Sequence, residues 1–337
     1  MAFIVQKFGG TSVADPDARE RMLRKVEAAR AAGDRIVVVV SAMGRKGAPY
    51  ATDTLLGLLE PAPVGSGQSD GLVRDLMASC GETISACLVA SLLSARGTKA
   101  VPLTAYSAGI RASGPYGDAE VSDVDVDRVM AVLDSGAVPV VTGFQAVSPN
   151  GGIVTIGRGG SDTSAVAVGA YAKADFVDIY TDVPGVATAD PRIVPEAPFL
   201  ERLDYGSMYR LASNGARVLH DRSAVLGERF GVRIRVRSTF DEGLGTLVSA
   251  EPLPADAPAL LGIASVKDGG EAVVSVICRP GRAAEVLRRA GEAAEARGAA
   301  VASRRRSPPD PDAVSFACRA DDAHALVRAL FGAVGSL

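Results

Sequence analysis

Several stretches of this chain combine residue types that chemistry can use. Lys7-Phe8-Gly9-Gly10-Thr11-Ser12-Val13 runs from a β-branched segment into paired glycines and on towards a helix. Bare glycine backbone lets N–H groups approach phosphate oxygens, and Lys7 adds positive charge at the same end. The plainer reading is a tight strand-to-helix turn with a solvated lysine. Gly157-Arg158-Gly159-Gly160-Ser161-Asp162-Thr163 precedes an Ala-rich helical stretch. Ser161 or Asp162 suits the cap of that helix, whereas Arg158 among three glycines offers a planar fork to a substrate carboxylate. Tyr180-Thr181-Asp182-Val183-Pro184-Gly185 ends a strand, where ligands gather in open α/β sheets; Asp182 equally suits the start of a Pro-Gly turn. Glu82 and Ser85 lie in a largely apolar helix. Glu82 either occupies a solvated flank, which the rarity of unpaired buried charge favours, or points into a cleft at an ammonium group.

Such residues need a regular frame. Short β-branched runs at 3–7, 35–41, 99–104, 138–142, 176–181 and 233–237 alternate with helical segments at 14–32, 81–93, 124–133, 161–172 and 204–230. That alternation predicts an α/β fold, a mainly parallel sheet between helical layers. Asp15-Pro16 reads as cap and first residue of a helix, and Gly33 as a stop. Residues 61–70 read as an exposed loop and Pro252 to Pro258 as a linker. The expected organisation is one large α/β domain over 1–250, a linker over 251–259 and a small module over 260–337. In that module 272–278, 282–297, 299–303, 313–319 and 321–331 read as βαββα, a ferredoxin-like order.

Composition narrows the function. A net charge of -3, from 36 basic and 39 acidic residues, gives no basic field for nucleic acid. The one basic run, Arg304 to Arg306 before Ser-Pro-Pro, reads as a solvated loop. No apolar run is expected to approach the ~20 residues that span a bilayer, and Met1 to Lys7 holds no basic leader; a cytoplasmic protein is expected. Cys80, Cys87, Cys278 and Cys318 have no CxxC spacing and lie among apolar neighbours, as core residues would. His220 and His324 are too few and scattered for a metal cluster, so no protein-held metal is expected. Neither GxxxxGK[ST] nor a strand-bound GxGxxG occurs.

Taken together, KFGGTSV at the start, GRGGSD midway and YTDVPG followed by TADPR resemble the aspartate kinases of the amino-acid-kinase superfamily. Val40-Ser41-Ala42-Met43-Gly44, Thr52-Asp53, Gly81-Glu82 with Ser85, Gly143-Phe144-Gln145, Val218-Leu219-His220 and Val236-Arg237-Ser238 extend the likeness from residue 3 to about 248. The resemblance implies ATP-dependent phosphorylation of the side-chain carboxylate of L-aspartate, the first step towards lysine, threonine and methionine. By matching position, Lys7, Phe8, Gly9 and Gly10 would meet the nucleotide phosphates. Ser41, Thr52, Glu82, Arg158 and Ser161 would hold aspartate, with Arg158 on its α-carboxylate and Glu82 facing its ammonium. Asp162 would organise the site with Lys7, and Thr181, Asp182, Arg192 and Arg217 would meet the nucleotide. Mg2+ would ride on the phosphates. No nucleic acid or membrane partner is implied.

The sequence also departs from that family. Ala187 stands where a tyrosine near the adenine is usual, and Arg217 and Asp221 replace a lysine and a proline. Relatives usually end in two ACT modules, and the stretch after the linker is long enough for one. A homodimer is the default expectation. The departures leave open a different amino-acid carboxylate as substrate, or a catalytically weak partner subunit that pairs with another aspartate kinase subunit.

Overall fold

The structure, a computed structural model, describes residues 1–59, 67–302 and 310–337. Its first elements are β1 (Phe3–Phe8), α1 (Pro16–Ala31), β2 (Arg35–Val40), α2 (Thr52–Leu56), α3 (Gly67–Ala95), β3 (Ala100–Leu103), β4 (Ile110–Ser113), β5 (Glu120–Val124) and α4 (Asp127–Asp134). Then come β6 (Val138–Thr142), β7 (Gln145–Val147), β8 (Ile153–Thr155), α5 (Gly160–Tyr171), β9 (Phe176–Thr181), β10 (Arg202–Asp204), α6 (Tyr205–Ser213) and α7 (Asp221–Phe230). The last are β11 (Ile234–Ser238), β12 (Thr246–Ser249), β13 (Leu260–Asp268), β14 (Glu271–Cys278), α8 (Ala283–Glu295), β15 (Ala300–Val301), β16 (Ala313–Arg319) and α9 (Ala323–Val334). Packing divides the chain into two compact units, Met1–Pro184 with Leu226–Leu244, and Gly185–Val225 with Gly245–Leu337. Residues 185–225 therefore group with the tail, whereas the sequence pattern groups them with the residues before them.

In the first unit the strands order as β11-β9-β1-β2-β6-β3, with parallel neighbours throughout. β2 reads Arg-Ile-Val-Val-Val-Val and is buried from Ile36 onwards, the continuous apolar run that a strand covered on both faces needs. The Asp15 carboxylate accepts the Ala18 N–H at 2.8 Å and Pro16 opens α1, so the cap and the proline expected there both act. From β1 the chain crosses through α1 to β2 on one side, and α5 delivers it to β9 on the other. That reversal beside β1 is where a crevice opens outside the strand carboxyl ends. Phe8 and Tyr180 stack there, ring centroids 4.7 Å apart, and tie the ends of β1 and β9 together.

A second, smaller sheet, β5-β4-β7-β8, was not expected. Its strands hold only three to five residues each, too few to display a period. Val124, read as the start of a helix, instead ends β5, and α4 begins at Asp127.

α3 corrects three expectations. Residues 67–70, read as loop, are helical, while 61–66 lie outside the described residues, as do Arg304 to Arg306. Its segment Gly71–Ala95 is long and apolar enough to cross a membrane by length and composition. Half of its most apolar window is buried, and it packs on β2, β3, β6 and β8 with the carboxyls of Asp75 and Glu82 turned inward, which makes it a core helix of this unit. Cys80 and Cys87, read as core residues, are exposed on its outer face; Cys278 is buried and Cys318 partly so. An apolar neighbourhood in sequence does not say which side of a helix a residue occupies.

In the second unit β10 pairs with β12. The region read as one long helix over 204–230 is two, α6 and α7. The chain breaks at Gly215, whose φ of +108° and closeness to the Ser265 carbonyl oxygen, 2.6 Å from where a Cβ would stand, admit only glycine. The tail forms an antiparallel sheet, β13-β14-β16-β15, covered by α8 and α9. Val274, Val276, Phe316, Leu326 and Leu330 lie in its core. The expected βαββα order is present with one strand more, since β13 precedes β14 as an antiparallel partner.

Candidate active site

At the carboxyl ends of β1 and β2 lies a pocket of about 540 Å³, built entirely from the first unit. Lys7, Gly10, Ser41, Thr52, Glu82, Arg158, Ser161 and Asp162 all line it. Residues as far apart in sequence as 7 and 162 are thus brought to one cavity.

Lys7 is the next-to-last residue of β1 and only 8% exposed. Its Nζ lies 2.6 Å from Asp162 Oδ1. Asp162 stands in the first turn of α5, whose N-cap is Gly159 in the left-handed conformation, φ +70°. No side chain caps that helix, and Gly160 and Ser161 line the pocket, so its amino end borders the cavity, with the Gly160 N–H given to the Gly157 carbonyl at 3.0 Å and the Asp162 N–H to that of Gly159 at 3.0 Å. A helix N-terminus favours anions, so a cation and a positive dipole end meet here. Gly10 lines the pocket too. A Cβ there would stand 2.7 Å from the Gly44 carbonyl oxygen and 2.8 Å from that of Ala42, so the β1 and β2 ends approach more closely than any side chain allows.

Glu82 takes the buried alternative and not the solvated flank. It is 3% exposed, and its Oε1 accepts the Ala42 N–H at 3.0 Å. Oε2 is buried without a hydrogen-bond partner. Burial pushes the carboxyl up from 4.5 to about 7, with the Ala42 N–H pulling the other way. Such a carboxylate is set to receive a cationic donor. Arg158, on the loop between β8 and α5, supplies a guanidinium to the same cavity.

Other expected residues do not line this pocket. The Phe8 ring is fully buried on Tyr180, leaving only its backbone for a ligand. Gly9 donates its N–H to the Tyr180 carbonyl at 3.3 Å. Asp182 accepts from Arg45 at 2.7 Å and from the Thr181 hydroxyl at 3.1 Å. Arg192 and Arg217 belong to the second unit, where Arg192 pairs with Asp190 at 2.7 Å. Sequence reasoning missed Arg74, Asp75 and Thr155, which also line the pocket. Asp75 carried a usable signal: it precedes Glu82 by two helical turns and shares its face. Among the described residues no group of three or more His, Cys, Asp or Glu is arranged to hold a metal ion.

The model of the Amino acid kinase family matches residues 2–238. The aspartokinase of Mycolicibacterium smegmatis is 41% identical over 302 residues, 87% of this chain and 69% of that protein. This chain belongs to the aspartokinases of the amino acid kinase family. Aspartokinase 1 of Bacillus subtilis is 45% identical over 250 residues, 74% of this chain and 61% of its own. The chain thus spans less than two thirds of the Bacillus protein and somewhat more of the Mycolicibacterium one. Among solved aspartokinases, the Synechocystis aspartate kinase superposes with a TM-score of 0.64 at 32% identity, over 97% of this chain and 54% of that one. E. coli aspartokinase III, in complex with aspartate and ADP, shares the fold, with a TM-score of 0.78 at 21% identity over 99% of this chain and all of that one.

Proposed function

We infer that this chain transfers the γ-phosphoryl group of ATP to the side-chain carboxylate of L-aspartate, giving 4-phospho-L-aspartate and ADP. The observation that carries the reading is the orphaned, buried Oε2 of Glu82 in the same pocket as Arg158 and the Lys7–Asp162 pair. An α-amino acid presents an ammonium and a carboxylate on one carbon. Glu82 receives the first, Arg158 the second, and Ser41, Thr52 and Ser161 offer hydroxyls between them. The side-chain carboxylate is left facing Lys7 and the amino end of α5.

The chemistry asked of the protein is positioning. A carboxylate oxygen attacks the γ-phosphorus in line, a new O–P bond forms, and the bond to the β-phosphate oxygen breaks as ADP leaves. Two negatively charged reactants must approach, so Lys7 and the N-terminus of α5 act by offsetting charge on the phosphoryl oxygens. Asp162 fixes the Lys7 ammonium by their 2.6 Å pair. Mg2+ would enter with the nucleotide, held by its phosphates and water; of the pocket's acidic groups Asp162 is engaged by Lys7, Asp75 by two backbone N–H groups and the Thr155 hydroxyl, and Glu82 is reserved for the substrate, which leaves Asp53 as the carboxylate that could meet the ion's water shell. Thr181, Asp182, Arg192 and Arg217 are assigned to the nucleotide on the family likeness. Residues 260–337 are assigned to a regulatory or dimerising module, and the protein to the cytoplasm.

The test is ATP-dependent acyl phosphate formation, trapped as the hydroxamate, with L-aspartate, with glutamate and without substrate. Turnover with aspartate that is lost in Lys7→Ala is expected. Turnover with another carboxylate only, or none, would contradict the reading.

A further inference from the structure

The pocket contains a buried carboxylate that the transfer does not use. Asp75, on α3, is 3% exposed. Its Oδ2 accepts the N–H of Gly117 at 2.9 Å and that of Thr155 at 2.7 Å, and its Oδ1 accepts the Thr155 hydroxyl at 3.0 Å. Burying a carboxylate is costly unless donors replace its water, and here three donors converge on one side chain from two separate segments.

Those segments bear on Arg158. Thr155 is the last residue of β8, three before Arg158. Gly117 lies within the turn, closed by the Asp118 N–H on the Pro115 carbonyl at 3.2 Å, on which the Arg158 loop rests: Gly157 has a φ of +81°, and a Cβ there would stand 2.7 Å from Asp118 Oδ1 and 3.2 Å from the Gly117 carbonyl oxygen. The Thr155 carbonyl also accepts the Ala119 N–H at 3.0 Å, closing the turn onto the strand. On its own helix, Asp75 lies two turns from Glu82 along one face. One carboxylate therefore joins the helix that carries the ammonium receptor to the strand end and the turn that carry the guanidinium.

We propose that Asp75 is a positioning residue that fixes the separation of Glu82 from Arg158, and so sets the pocket's selectivity for amino acids bearing an α-carboxylate. The inference rests on the assignment of Glu82 and Arg158 to the substrate's ammonium and α-carboxylate. Displacements of about 1 Å in such constellations cost on the order of a hundredfold, so a shift of one wall against the other is enough to lose the fit.

The side-chain chemistry supplies the control. In Asp75→Asn the amide oxygen can take the place of Oδ2 and accept both N–H groups, while the amide NH2 donates to the Thr155 hydroxyl oxygen, which has reversed its role. All three links survive. Asp75→Ala removes all three. Thr155→Val removes only the hydroxyl link and serves should the alanine variant not fold.

The experiment measures KM for aspartate and for ATP, together with the inhibition constant of 3-aminopropanoate, which is aspartate without its α-carboxylate. Asp75→Ala is expected to raise KM for aspartate by on the order of tenfold to a hundredfold while leaving KM for ATP within about twofold. The preference for aspartate over 3-aminopropanoate should shrink in step, Asp75→Asn should restore both values, and Thr155→Val should move them the same way by less. KM for ATP rising as much as KM for aspartate, an unchanged preference, or an asparagine variant as impaired as the alanine one would overturn the proposal. Should the native enzyme fail to turn over aspartate at all, the functional reading falls first and takes the inference with it, an outcome seen before any variant is made.

Discussion

Glu82→Gln isolates what burial of a carboxylate costs this fold. In the native chain burial holds the Glu82 carboxyl at about 7 in place of 4.5, with Oε2 lacking a partner. A group whose folded pKa is raised is an acid that the folded state keeps protonated after the unfolded state has released its proton. Between 4.5 and about 7 the folded state therefore binds more protons, and stability falls as pH rises through that window. A tenfold change in proton affinity corresponds to about 1.4 kcal/mol. The loss is small near pH 5, nearly complete at pH 8, and the difference between the two comes to about 2–3 kcal/mol. Glutamine does not titrate, so it removes the pH-dependent part. Its own fixed cost, an amide with one unpartnered group, is the same at both pH values and cancels. Urea unfolding of both proteins at pH 5 and pH 8, without substrate, reads the effect directly. The stability of Glu82→Gln relative to the native chain should improve by about 2–3 kcal/mol between pH 5 and pH 8. A relative stability that does not change with pH would refute the claim that Glu82 is buried without a compensating charge.

If Glu82 receives the substrate ammonium as proposed, kcat/KM for aspartate should rise about tenfold from pH 6 to pH 8 as Glu82 ionises near 7, and a flat profile in the native enzyme would remove Glu82 from the ammonium site. Arg158→Lys keeps the charge but loses the fork, and KM for aspartate should rise on the order of tenfold with KM for ATP unchanged in steady-state kinetics. Gly10→Ala drives a Cβ against two backbone carbonyl oxygens and should lower stability by about 1–3 kcal/mol in a denaturant titration, with loss of activity.

Where the chain keeps a long period or a fixed motif, its structure is readable from sequence. The unbroken valines of β2 and the Asp15-Pro16 cap of α1 state their own roles. Lys7, two residues before paired glycines, and Arg158, set among glycines, stood out in the sequence as candidates, and both line the pocket, although the pattern alone left a solvated lysine open. Glu82 was not, because a helix that is apolar almost all round gives no sign of which side faces a cleft. The outcome was decided by α3 packing against β6 and β8, which turns residues 75 and 82 inward and leaves Cys80 and Cys87 outside. The small sheet β5-β4-β7-β8 was invisible for a different reason: strands of three to five residues are held by their neighbours and not by their own pattern. Asp75 sits between these cases. Its spacing from Glu82 was in plain view, but its partners Gly117 and Thr155 belong to that unreadable sheet and the turn beside it.

The most direct measurement is a crystal structure of the chain with L-aspartate and a non-hydrolysable ATP analogue. The substrate ammonium is expected within about 3 Å of Glu82 Oε2, the α-carboxylate on the Arg158 guanidinium, and the side-chain carboxylate towards Lys7. Aspartate bound with its side-chain carboxylate on Arg158, or with its ammonium away from Glu82, would contradict the account.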